Sequence, residues 1–132
     1  MSYSLLKQTR DILVASADLS NYVSSNNIRV GWIEAATSFP LIAITTIGES
    51  DVGYLGYGTA PDGQKLHEIN ISFQIDILSR KSVKEATEIA DIVTKELMAN
   101  GYSKTSEVDT WEVALKAHRK ILRFSYVYVF ER

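Results

Sequence analysis

From His67 to Ile77 polar and apolar residues alternate without a break, and the apolar set is Ile69, Ile71, Phe73, Ile75 and Ile77. Successive strand side chains point to opposite sides, so this spacing predicts a sheet with one buried and one polar face. A sheet of that kind is mainly antiparallel. Slipping the register by one residue would expose the whole apolar set, and Ile75→Asp, which buries an unpaired charge, is expected to abolish folding. After Leu78-Ser79-Arg80-Lys81 the period changes to that of a helix from Ser82 to Asn100. Its start carries Ser82-Val83-Lys84-Glu85, a capping box in which hydroxyl and carboxylate each satisfy the other residue's backbone N–H. Val83, Ala86, Ile89, Ala90, Val93, Leu97 and Met98 form its apolar stripe, and Gly101 stands where a left-handed C-terminal cap belongs. This helix is expected to cover the apolar face of the strand.

The same patterns divide the rest of the chain. Leu5, Leu6, Thr9, Ile12, Leu13 and Ser16 make one stripe of a helix over Ser4 to Ala17, and Asp18 is placed to cap a short helical turn through Val23. Ser24 to Asn27 reads as a loop and Ile28 to Ile33 as a short strand. Pro40 opens a stronger strand through Ile47, at a position where proline costs no interior ladder bond. Residues Gly48 to Gln64 hold five of the seven glycines and Pro61-Asp62-Gly63, so they read as a long loop joining two antiparallel strands. A loop that long calls for a purpose. Trp111, Val113 and Leu115 alternate in a strand over Val108 to Leu115, and a hairpin leads to a last strand from Arg119 to Phe130. Leu122, Phe124, Tyr126, Tyr128 and Phe130 line one face of that strand, and Ile121, Arg123, Ser125, Val127 and Val129 the other. Both faces are rather apolar, so the strand is either central to its sheet or covered by another molecule. The expected fold is α+β: a mixed, mainly antiparallel sheet of about five strands with two flanking helices, in the order αβββαββ. No repeat or linker divides residues 1–132, which read as one domain.

Composition removes several classes of function. Apolar residues make up 45% and charged residues 23%, so the fold rests on packing. Fourteen Lys and Arg against sixteen Asp and Glu leave a charge of −2, which gives no global attraction to nucleic acid or an anionic membrane. The absence of cysteine excludes disulfides and thiolate metal sites and fits a reducing compartment. No run approaches the ~18 apolar residues of a membrane span.

Candidate chemistry is sparse. Gly53-Tyr54-Leu55-Gly56-Tyr57-Gly58 has the glycine density of a nucleotide loop, but the spacing is reversed and a strand follows rather than a helix. The better reading is an interaction arm whose aromatic residues order against a neighbour. His67 and His118 lack clustered ligands, and no Gly-x-Ser-x-Gly elbow or triad pattern is present. Asp51, Glu68, Asp76, Glu107 and Asp109 read as an outward polar face. Lys116, His118, Arg119, Lys120 and Arg123 form one basic cluster, read as a solvated turn or as subunit salt bridges ahead of a phosphate contact. The chain is expected to have no catalytic residue, metal or cofactor. The candidate subunit or partner contacts are Tyr54, Leu55, Tyr57, Trp111, Lys116 and Arg119.

Several of these pieces, in this order, resemble the tail terminator proteins of long-tailed bacteriophages, also called tail-completion or tail-to-head joining proteins. They are Asp18 to Val23, Ile28-Arg29-Val30, Phe39 to Ile44, Phe73 to Ser79 running on to Ala86 to Val93, and His118 to Phe124. The likeness spans nearly the whole chain and lies in type, spacing and order rather than in a signature. The loop at 48–64 and the Trp111 region depart from it. The resemblance implies a homo-oligomeric ring, usually a hexamer, that caps the tail tube, ends its polymerisation and offers a docking surface to the head. Its partners would be the tail tube protein and a head-tail connector or head-completion protein. Its place would be the neck region of the virion, after assembly in the host cytoplasm. Six copies at −2 each would carry about −12, which suits DNA passing through without specific binding. The alternative is a monomeric α+β ligand-binding or regulatory module with the 48–64 loop as a lid.

Overall fold

The computed structural model describes residues 2–31, 38–59 and 65–131, with side chains for 3–31, 38–48 and 69–128. It is an α+β fold: helices α1 (Ser2–Val14), α2 (Ala17–Ser20) and α3 (Val83–Ala99) beside strands β1 (Ile28–Val30), β2 (Leu41–Thr59), β3 (Lys65–Ser79), β4 (Ser103–Glu112) and β5 (Ala117–Glu131). The sheet order is β1-β2-β3-β5-β4. All neighbours are antiparallel except β1 and β2, which run parallel. The last strand is therefore internal to the sheet as far as Ser125, where β4 ends beside it.

One face of the sheet carries the main core. Ile71, Phe73, Ile75 and Ile77 of β3, Ile42 and Ile44 of β2, and Leu122 and Phe124 of β5 are buried against α1 and α3. The alternation thus gave the correct side of β3. The α1 stripe is buried as its period requires, including Thr9, whose hydroxyl donates to the Leu5 carbonyl at 2.8 Å. With that hydrogen committed, Tyr102 donates its own hydroxyl to Thr9 Oγ1 at 3.0 Å. Burial pushes the Tyr102 hydroxyl pKa up. Its ring meets Phe73 edge-on at 5.5 Å and Tyr126 at 4.8 Å, so one aromatic stack joins α1, β3 and β5.

The ends of α3 follow local chemistry. Ser82 Oγ accepts from the Glu85 N–H at 3.0 Å. The reciprocal half of the capping box is replaced, because the Glu85 carboxylate accepts from Ser79 Oγ at 2.7 Å and Ser79 Oγ in turn accepts from the Ser82 N–H at 3.4 Å. At the other end Gly101 has φ +89°, with bonds from the Gly101 N–H to Met98 and from the Tyr102 N–H to Leu97. That pair of bonds is a Schellman termination, and it delivers Tyr102 to the core beside Leu97.

Several expectations are corrected. Residues 48–59 are not loop but strand, paired with β3 as far as Thr59↔Lys65 and interrupted by three register shifts. Only 60–64, with the expected Pro-Asp-Gly turn, fall outside the described residues. The first helix ends at Val14, and Ser16 rather than Asp18 caps the helical turn, accepting from the Leu19 N–H at 3.2 Å. The end of the first strand, at residues 32 and 33, is outside the described residues. Val83 and Met98 lie on the exposed side of α3. β4 begins five residues earlier than the alternation of Trp111, Val113 and Leu115 suggests and stops at Glu112. There the chain turns through Lys116, at φ +50°, and folds Leu115 onto the helix-free face of the sheet.

Candidate assembly surfaces

Among the described residues, the helix-free face is closed only at one end. Leu41, Leu78, Leu115, Ala117 and Phe39 form a small second cluster there, and Arg80 lies over the Phe39 ring at 4.2 Å while donating to the Leu115 carbonyl. Next to it Asp76 is fully buried. Arg119 Nε donates to Asp76 Oδ1 at 2.9 Å, Gln74 Nε2 donates to both carboxylate oxygens, and Arg119 also pairs with Glu112 at 3.0 Å. Further along, Val108, Arg123 and Val127 are exposed.

Strand parity decides what the basic cluster does. Arg119 and Arg123 point to the helix-free face, whereas His118 and Lys120 point to the helix side. Lys120 is only 4% exposed and bonds Glu107 at 3.2 Å and Asp109 at 3.0 Å. Burial opposes its charge, yet the two carboxylates prevail and raise its pKa. Glu107 is held below its ordinary range, chiefly by the 2.6 Å bond from Lys104. The cluster is thus divided between two sides of the sheet and is no phosphate patch, and Asp76, Glu107 and Asp109 are ion-paired rather than simply solvated.

The expected contact residues are not brought together. Trp111 stands on the edge strand β4, 51% exposed, with its ring against His118 at 5.0 Å. Lys116 occupies the β4–β5 turn, and Arg119 belongs to the internal pair with Asp76. Tyr54, Leu55 and Tyr57 lie on the far part of β2, with their side chains outside the described residues. Tyr54 is level with His67 and, across β3, with Phe130, while Trp111 is level with His118. Twelve strand residues separate those levels, about 40 Å at ~3.3 Å each. The two groups occupy opposite ends of the molecule.

What parity and composition do not disclose is that the sheet outgrows its helices. Among the described residues β1 ends at Val30, opposite Ile44, and β4 reaches only to Ser103, opposite Ser125. Beyond those points β2, β3 and β5 continue as a three-stranded arm. On β3 it covers Lys65 to Asn70, about 20 Å. Beside β4, Val108 and Val113 are also exposed, at 52% and 75%. A shallow cleft of about 210 Å³, lined by Tyr22, Lys81, Ser82, Lys84, Glu85 and Glu88, lies near the start of α3. Among the described residues no three His, Asp or Glu side chains are grouped to hold a metal ion, and no helix is long and apolar enough to cross a membrane. Neither the family models nor the curated proteins compared with this chain match it.

Proposed function

We propose that this chain is a structural subunit of a long-tailed phage or tail-like particle, forming a ring that caps the tail tube, ends its polymerisation and receives the head. The observation that carries this reading is the arm: β2, β3 and β5 extend past the ends of β1 and β4, with no further ladder neighbour among the described residues. An isolated domain has no use for such an extension, because long strand edges invite pairing with other chains. The order of elements that resembles the tail terminators supports the same reading, as does a surface charge that gives DNA no general attraction. One end of the subunit would meet the tube protein and the other the connector, and the exposed Trp111 and Val113 suit such a contact. The reading as a ligand module gains nothing from residues 48–59, which are strand, paired with β3 up to Tyr54 and again at Thr59.

Light scattering and negative-stain imaging of the purified chain, alone and with tail tubes, test the proposal. Rings that sit on tube ends are expected; monomers under both conditions refute it. Replacing Tyr54 and Tyr57 by serine should leave a folded monomer that assembles less well, and normal rings from that variant would remove the arm's aromatics from the interface.

A further inference from the structure

Among the described residues, the two long sides of the arm lack a ladder neighbour in the same stretch. On one side β2 has β1 as a neighbour only at Ile42, Ala43 and Ile44. On the other side β5 has β4 as a neighbour only up to Ser125. Among the described residues, the β2 positions between Thr45 and Thr59 that pair with β3, and β5 from Tyr126 to Glu131, have a ladder partner on one side alone. The β5 edge is not protected in the usual ways. Tyr126-Val127-Tyr128-Val129-Phe130 contains no proline, lysine or other charge, and it is rich in the residue types that favour strands.

Direction adds a second constraint. β2 and β5 are each antiparallel to β3, so they run parallel to one another. β2 already accepts a parallel neighbour, β1, on this same edge. A further parallel strand would continue the line of β1 into the arm. We infer that this strand is β5 of a second copy of the chain: residues Tyr126 to Glu131 of one subunit pair in parallel with the Thr45–Thr59 edge of the next. The contact joins two different edges, so every subunit keeps one edge to give and one to receive. Repetition by rotation about an axis along the arm closes a ring with no bare edge left, and the arms merge into one continuous sheet. The inference rests on the ring reading above and specifies the surface by which the ring is made.

The chain contains no cysteine, so introduced thiols report directly. Ser50 and Val127 stand level with each other across Asn70. The variants are Val127→Cys and, in turn, Gly48→Cys, Ser50→Cys and Asp51→Cys, which bracket the register. Mixed with each β2 variant and oxidised, Val127→Cys should give a disulfide-linked dimer with at least one of them. The corresponding double variant should give a ladder of covalent multimers ending at the ring. Val127→Lys, at a 44% exposed position, should keep the monomer folded and abolish ring formation. A covalent dimer of Val127→Cys alone would mean that β5 pairs with its own copy, and would overturn the proposal. Rings that form without any cross-link from the series would overturn the edge pairing and leave the ring reading standing. Monomers throughout, by scattering as well as by cross-linking, would overturn both.

Discussion

The two halves of β3 follow one pattern and meet different fates. From Ile71 to Ile77 the apolar residues lie under α1 and α3 with no exposed surface, while Ile69, at the base of the arm, is only half-buried. Nothing in the alternation distinguishes the halves. Period-two spacing specifies a strand and the side that is to be covered, and it does not say whether the cover is a helix of the same chain or another molecule. The lower half is a finished core and the base of the upper half, at Ile69 and Asn70, is only half-buried, so substitutions in the two should separate folding from the proposed assembly.

The largest effect belongs to the lower half. Phe73 stacks on Phe124 at 5.9 Å and meets Tyr102 edge-on, so Phe73→Ala should lower stability by about 3–5 kcal/mol in urea unfolding. On the opposite side of the same strand, Asp76→Asn would leave Arg119 with Glu112 but without its buried partner, and a loss of about 3 kcal/mol is expected. Ser82→Ala removes one helix cap and should cost about 1 kcal/mol in the same assay. The pH dependence is milder. Glu107 has its pKa lowered in the folded state, so its contribution is present above its ordinary value of 4.5 and is lost as pH falls through the folded value. Lys120 has its pKa raised, so its contribution is complete below 10.5 and is lost as pH rises through the folded value. Unfolding midpoints measured across pH should fall at both extremes, and Glu107→Gln should flatten the acidic side. Val127→Lys on the arm should change monomer stability by about 0.5 kcal/mol or less. A large loss there would mean that the arm belongs to the folding core and would erase the distinction.

The sequence discloses these regions unequally. The β3 alternation, the Ser82 cap and the Gly101 terminator are local devices, and each was legible because its cause lies within a few residues. The far half of β2 was not. Gly48, Gly53, Gly56 and Gly58 weaken a strand considered alone, yet the long unbroken β3 supplies a ladder, and the register shifts fall at or around those glycines. The role of Arg119 was hidden for a related reason. Which side of the sheet it takes, and that Asp76 awaits it there, depends on a register between strands forty-three residues apart. Trp111 was legible as an exposed aromatic. The open edges were not, because an edge is defined by where its neighbours stop.

Strand order has a consequence for how the molecule comes into being. β5, the last described strand to be synthesised, is the one that holds β4 to the rest of the sheet and completes the second side of β3. Until it emerges, the core under α3 lacks Leu122 and Phe124 and the arm is a bare hairpin. Folding is therefore expected to finish in one late, non-local step rather than strand by strand during translation. A nascent chain or a fragment cut short before β5 has neither a complete core nor an arm with two sides, so the proposed assembly would admit only copies that include β5.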